Sequence, residues 1–161
     1  MKNKIRTHIE IPAISQQAQH ENNIVVTTNG SFDILHYAHA NLLEKAKNEG
    51  DILIVLLNSD SSIKRNKGDL RPIIPETERA LMLASLYSVD YVVIFEEDDP
   101  LSLLKKIKPQ IHVKGGSFIQ ERIMQEQEIL KEWNGKFKNF ELEDGFSTSN
   151  IINTILERHI S

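Results

Sequence analysis

The sequence predicts an α/β protein built on a mostly parallel, five-stranded sheet with helices on both faces. Three observations carry this reading. From residue 24 onward, strand-length apolar runs alternate with helix-length segments. The run Asp51-Ile52-Leu53-Ile54-Val55-Leu56-Leu57 is almost continuously apolar, as a strand covered on both faces must be. The intervening segments are long enough for the right-handed crossovers that parallel strands need.

Residues 1–23 contain the polar run from Ser15 to Asn23 and read as an extension, partly ordered at most, outside the core fold. Residues 24–161 then form one domain. The β-branched run 24–28 predicts the first strand. A helix over 39–48 turns Leu42, Leu43 and Ala46 inward and ends at Gly50. The second strand, 51–57, is followed by a long polar loop over 58–74. Pro75 suits the first position of a helix reaching residue 87, apolar on most sides and therefore buried.

The third strand is expected at 90–95, and Asp99-Pro100 signals a helix over Leu101–Ile107. A short strand at 110–113 leads into Lys114-Gly115-Gly116. Residues 118–133 read as a helix and 137–142 as a fifth strand. Ser147 caps a last helix with Ile151, Ile152, Ile155 and Leu156 on one stripe. No internal repeat or second domain is visible.

Composition excludes several classes of function. The chain has 161 residues and no cysteine, which removes disulfides, thiolate zinc sites and thiol nucleophiles. A net charge of −4 argues against wrapping nucleic acid. No apolar stretch reaches the roughly 18 residues that cross a bilayer, and residues 1–23 lack an apolar signal core. A cytoplasmic protein, bound neither to membrane nor to nucleic acid, is the expectation.

In a parallel sheet ligands bind beyond the carboxyl ends of the strands. The polar loops 29–39, 58–71, 114–117 and 144–149 each follow a predicted strand, so they gather on that edge. The first is the most informative. Thr28-Asn29-Gly30-Ser31-Phe32-Asp33-Ile34-Leu35-His36-Tyr37-Ala38-His39 links a strand through a glycine turn to a helix start. Free amides and the positive end of the helix dipole make such a junction an anion site. His36 and His39, three residues apart, face the same way on the first turn. They suit a triphosphate; a metal pair and a chance surface pair are the alternatives.

Other residues carry two readings each. Phe32 is either core or ligand contact. Asp33 either holds an N–H of the turn or touches ligand. Lys67 and Arg71, with Lys64 and Arg65 nearby, are either solvated charge or ligand contacts in a loop of functional length. Arg79, a cation on an apolar helix, should face the loop edge or a carboxylate. Ser147, Thr148 and Ser149 either only cap the last helix or also form a second anion site. Lys114-Gly115-Gly116 is a turn or a nucleotide contact.

Taken together these segments resemble the nucleotidyltransferase superfamily with the H-x-G-H signature. Within it the chain is most similar to the adenylyltransferase domain of bifunctional heptose-phosphate enzymes. The resemblance runs over about residues 24–156 and rests on Thr28 to His39, Asn58-Ser59-Asp60, Lys67-Gly68-Asp69 with Arg71-Pro72, Glu78-Arg79, Val113-Lys114-Gly115-Gly116 and Asp144 to Ile152. Two positions depart from it: Ala38 stands where the family has glycine and Ser117 where it has aspartate.

The resemblance implies a Rossmann-like nucleotidyltransferase fold and transfer of AMP from ATP, with Mg²⁺, to a sugar 1-phosphate. It implies catalytic roles for His36, His39, Lys67 and Arg79. ATP contacts are implied for Thr28, Asn29, Gly30, Phe32, His36, His39, Lys114, Gly115, Gly116, Ser147, Thr148 and Ser149. Acceptor contacts are implied for Asp33, Asn58, Asp60, Lys67 and Arg71. It also makes a homodimer or higher homo-oligomer reasonable. The rivals are CTP with glycerol 3-phosphate, ATP with FMN, and a nucleotide-binding module without catalysis, for which Ala38 and Ser117 are the only motive.

Overall fold

The computed structural model describes residues 1–116, 120–141 and 145–159. Ser117, Leu142 and Asp144, like the expected helix positions 118 and 119, lie outside the described residues. The five strands are β1 (Val25–Gly30), β2 (Ile52–Asn58), β3 (Tyr91–Phe95), β4 (Ile111–Gly115) and β5 (Lys136–Phe140). They form one sheet in the order β3-β2-β1-β4-β5, and every pairing is parallel. The helices are α1 (Glu10–His20), α2 (Tyr37–Lys47), α3 (Asp60–Lys67), α4 (Glu76–Ser85), α5 (Leu101–Ile107), α6 (Gln120–Lys131) and α7 (Thr148–His159).

The core lies on both faces because strand side chains alternate. In β2, Leu53, Val55 and Leu57 join Leu43 and Ala46 of α2 and Leu83 and Ala84 of α4. Ile54 and Leu56 point the other way, toward Leu103 and Leu104 of α5 and Leu130 of α6. This explains the unbroken apolar run at 52–57. Sequence order turns back at β1: the chain moves outward through β2 and β3, then returns to place β4 on the other side of β1. A crevice opens at such a switch point, beyond the carboxyl ends of the two strands.

Two sequence expectations need correction. Residues 1–23 are not outside the core fold. Helix α1 buries Ile11, Ser15 and Ala18 beside α5, and the Ser15 hydroxyl donates to Ile107 O. Ahead of it, Ile5 forms a parallel bridge with Val92, and Lys4 Nζ donates to Leu86 O and Val89 O. This segment covers the free edge of β3, an edge that would otherwise be open to pairing with another chain. The spacing of Ile11, Ile14 and Ala18 is the helical signal that the polar run 15–23 masks.

The region 58–74 is also not a plain loop. It contains α3, capped by Ser59, whose Oγ accepts the Ser62 amide, and anchored by buried Ile63. Smaller shifts concern ends: Pro75 and Pro100 are N-caps rather than first helical residues, and Asp99 still accepts the Leu101 amide. Ser147 caps α7 as expected, accepting the Asn150 amide. None of the α7 residues is buried, however, and Ile155 and Leu156 are about half exposed.

Candidate active site

At the switch point lies a cleft of about 380 Å³. Its walls include Asn29, Gly30, Ser31, Phe32 and His39 from the β1–α2 segment, and Lys114 and Gly115 at the end of β4. Asn58, Asn66 and Lys67 face them from the β2–α3 side, and Arg122 and Glu126 from α6.

His36 is the N-cap of α2 in extended conformation, while His39 belongs to the first turn. The cap geometry folds the two rings together: they stack with centroids 3.8 Å apart and planes 23° apart. Phe32 lies against His39 at 5.3 Å. It is both core and cleft wall, so its two readings hold together. Both Nδ1 atoms are buried without a partner among the described residues. Burial, followed by the neighbouring His36 and Lys67, brings His39 down to about 4, and burial lowers His36 as well. Lys67, whose Nζ donates to Ser31 Oγ at 2.9 Å, is also lowered, first by burial and then by Arg71. Nitrogen donors whose positive charge burial disfavours form a seat for an anion, whose arrival favours that charge again.

Asp33 settles on protein rather than ligand. Its carboxylate has no exposed surface and accepts the Ile73 and Ile74 amides and Arg71 Nε at 2.7–3.1 Å. Burial opposes its ionisation, but these donors prevail and hold its pKa below the usual value. The turn it sits in needs such an anchor. Phe32 and Ile34 on either side have φ of 44° and 47°, a strained region for side chains of that size. Thr148 adds a further tie, donating to Asp33 O at 2.6 Å.

Arg79 is 2% exposed, and its donors are directed at protein acceptors. Nε donates to Ile74 O, NH1 to Ser31 O and Asn58 O, and NH2 to Asp60 Oδ1. It therefore stitches the β1 turn to α3 and α4 instead of reaching into the cleft. Asp60 is its counter-ion, and the Asp60 amide donates to Glu76. Thr28 is fully buried inside β1 and is absent from the cleft wall. Ala38 is likewise buried at 1% exposure, and its methyl does not line the cleft.

Gly30 and Gly115 face the cleft. A side chain at Gly115 would run into Leu42 of α2, at 2.5 Å. Gly116 follows with φ of 112°, a backbone state that favours glycine. Ser147 and Thr148 are engaged in capping and in the Asp33 tie, while Ser149 is exposed. Sequence reasoning missed Ser31, Asn66, Arg122 and Glu126. Only Glu126 left a signal: it is a lone carboxylate on the helical stripe of Ile123 and Leu130.

Mg²⁺ is not matched by a protein-built cage. Among the described residues no group of three His, Cys, Asp or Glu could hold a metal. Asp33, Asp60 and Glu126 are already committed to Arg71, Arg79 and Lys114. No helix among the described residues is long and apolar enough to cross a membrane.

Comparison with known proteins agrees with this geometry. Residues 27–154 match the family described as Cytidylyltransferase-like. The chain is 48% identical over 147 residues to the bifunctional protein HldE of Helicobacter pylori strain Shi470, covering 91% of this chain and 31% of that protein. It is 43% identical over 156 residues to the bifunctional protein HldE of Syntrophotalea carbinolica, covering 97% and 32%. The chain thus spans about a third of the length of these relatives. Among solved structures it resembles the lipopolysaccharide core biosynthesis protein from Thermoplasma volcanium GSS1, with TM-score 0.61, 29% identity and coverage of 75% of this chain and 97% of that one. The pantoate-β-alanine ligase from Francisella tularensis shares the fold, with TM-score 0.64 at 17% identity, covering 95% and 77%.

Proposed function

Since the chain belongs to the cytidylyltransferase-like family of nucleotidyltransferases, we propose that it transfers AMP from ATP to a sugar 1-phosphate and releases pyrophosphate. The acceptor in this reading is D-glycero-β-D-manno-heptose 1-phosphate, and the product serves as an ADP-heptose precursor of lipopolysaccharide. The stacked histidine pair at the N-terminus of α2, with His39 lining the same cleft as Lys67, is the observation that carries it. The motif order seen in heptose-phosphate adenylyltransferase domains supports the acceptor. So does the likeness to the lipopolysaccharide core biosynthesis protein from Thermoplasma volcanium.

An acceptor phosphate oxygen attacks the α-phosphorus of ATP in line, forming one P–O bond as the bond to pyrophosphate breaks. That oxygen is already negative, so no general base is needed. The work left to the protein is positioning and charge stabilisation. Imidazole N–H groups of His36 and His39, the Lys67 ammonium and the α2 amides receive the phosphate oxygens as charge builds on them. Asn29, Lys114 and the glycines of β1 and β4 take the nucleoside end. The free amides at the start of α7, with Ser149, form the second anion site.

Arg79, Asp33 and Asp60 act by holding the turn that presents the histidines. A divalent cation belongs to this scheme as part of the ATP substrate, carried by its phosphates and water. The enzyme works in the cytoplasm as a homodimer or higher homo-oligomer.

A screen of nucleoside triphosphates against phosphate acceptors, read as pyrophosphate release, tests the reading. ATP with the heptose 1-phosphate should be the best pair. A preference for CTP with glycerol 3-phosphate, or for ATP with FMN, would overturn the assignment of acceptor and nucleotide. Nucleotide binding without turnover on any pair would overturn the assignment of catalysis.

A further inference from the structure

At the cleft wall α6 meets β1 and β4 in a charged cluster, of which the transfer chemistry leaves Glu126 and His112 unassigned. Glu126 is 2% exposed, on a helix face otherwise apolar. Its Oε1 accepts a hydrogen bond from Lys114 Nζ, and Lys114 also donates to Asn29 Oδ1 at 2.7 Å. Its Oε2 is buried without a hydrogen-bond partner among the described residues and faces His112 Nε2 at 3.6 Å. His112 is fully buried in β4, and its Nδ1 lies 2.7 Å from Thr27 Oγ1 on β1. The cluster therefore joins both strands that border the crevice to the helix above it.

We propose that Glu126 is a positioning residue for nucleotide binding, holding the Lys114 ammonium against Asn29 at the cleft floor while His112 closes the carboxylate from behind. The inference rests on reading the cleft as the nucleotide site. A buried ion pair is a poor stability device, because apolar residues of similar volume serve as well or better. What it supplies is a fixed place for a cation on a long, freely rotating stem. Burial works against the charge on Lys114, and Glu126 is the largest influence opposing that loss. Glu126 stays ionised despite its own burial because His112 and Lys114 flank it. Remove the carboxylate and burial is left without its main opponent, so the ammonium sheds its proton more readily.

Three variants of the full chain test this: Glu126→Gln, which keeps the shape, Lys114→Met, and the two combined. ATP affinity is read by calorimetry, and kcat and KM by pyrophosphate release. The pH profile of Lys114 acylation by an amine-reactive ester is followed by mass spectrometry. Glu126→Gln should shift acylation to lower pH and raise KM for ATP about tenfold, with kcat changed far less. The combined variant should bind ATP no more weakly than Lys114→Met, because the two residues act as one unit. If Glu126→Gln alone fails to fold, the combined variant leaves neither charge buried alone and carries the comparison.

An unshifted acylation profile in a protein that binds ATP overturns the role of Glu126 alone. Additive losses in the combined variant do the same. A shifted profile in a protein that binds no ATP overturns instead the nucleotide reading on which the role depends.

Discussion

His36 and His39 stack at 3.8 Å although one caps α2 and the other lies inside its first turn. Two neutral imidazoles tolerate that distance, whereas two imidazolium ions would repel. The pair is therefore set to gain protons only when negative charge arrives beside it.

Replacing either histidine by alanine should lower kcat by about 10²–10³, the usual loss for one preorganised donor at a developing oxyanion. KM for ATP should change less, because these contacts tighten mainly in the transition state. The double variant should lose less than the product of the single losses, since the rings orient each other. Steady-state kinetics on all three decides it, and near-normal kcat in both single variants would remove the phosphate role.

Stability should fall with acidity in a window set by these rings. Burial first, then His36 and Lys67, bring His39 to about 4 in the folded chain, whereas an unfolded histidine titrates near ~6.5. Between those values the unfolded chain binds more protons. The stabilisation is thus intact above about pH 6.5 and drains away as the pH falls toward about 4. Urea unfolding across this range should show the decline, and His39→Gln should flatten it in part, since burial lowers His36 and His112 as well. Nucleotide binding should run the other way and take up protons near pH 6, seen as a buffer-dependent binding enthalpy.

Asp33→Asn should destabilise the fold by about 3 kcal/mol, since it leaves buried donors unmatched. An asparagine keeps one acceptor oxygen but turns an NH₂ toward amides that Asp33 now receives from Ile73 and Ile74. Denaturant unfolding reads the loss directly. A cost under about 1 kcal/mol, the worth of an exposed pair, would mean the clamp is not set as described.

Hydrogen exchange should divide the region 58–74 in two. Amides of α3 should be protected without nucleotide, because Ser59 caps the helix and Ile63 anchors it. Residues 68–70, which are exposed, should exchange fast until ligand binds. Uniform fast exchange across 58–74 would restore the plain loop that the sequence suggests.

The same region shows why some of the structure was hidden in the sequence. Strands announce themselves through apolar runs, as β2 and β3 do, whereas β5, Lys136–Phe140, only mixes lysine and asparagine with phenylalanine and buries no residue. A helix of eight residues with one buried apolar side chain gives no periodicity to read, so α3 passes for loop. Helix α1 carries its signal in Ile11, Ile14 and Ala18, and the polar run from Ser15 onward hides it. The histidine pair was legible because its spacing and its glycine turn are local. Arg79 was not: three of its acceptors are backbone carbonyls of Ser31, Asn58 and Ile74, which no residue type reveals. A cation on an apolar helix could be seen to need partners, but whether they were ligand or protein depended on the fold.

Gly115 is where those two kinds of reason can be separated by experiment. It lines the cleft, which suggests a nucleotide contact, yet an added Cβ would lie 2.5 Å from Leu42 Cδ1 and Cδ2. Leu42 is buried but also lines the cleft, so its methyls can yield only into the space meant for ligand. Gly115→Ala should therefore cost about 1–3 kcal/mol through overpacking. If packing is the whole reason for glycine, Leu42→Ala in the same chain should recover part of that stability, because the methyl fills some of the space the leucine leaves. ATP affinity would recover with it. If glycine is needed for the ligand's approach, the double variant should regain stability and still bind ATP poorly. Unfolding midpoints and calorimetric titrations on the two single variants and the pair distinguish these outcomes. Because the three nearest atoms to that Cβ all belong to Leu42, recovery of both is the expected result.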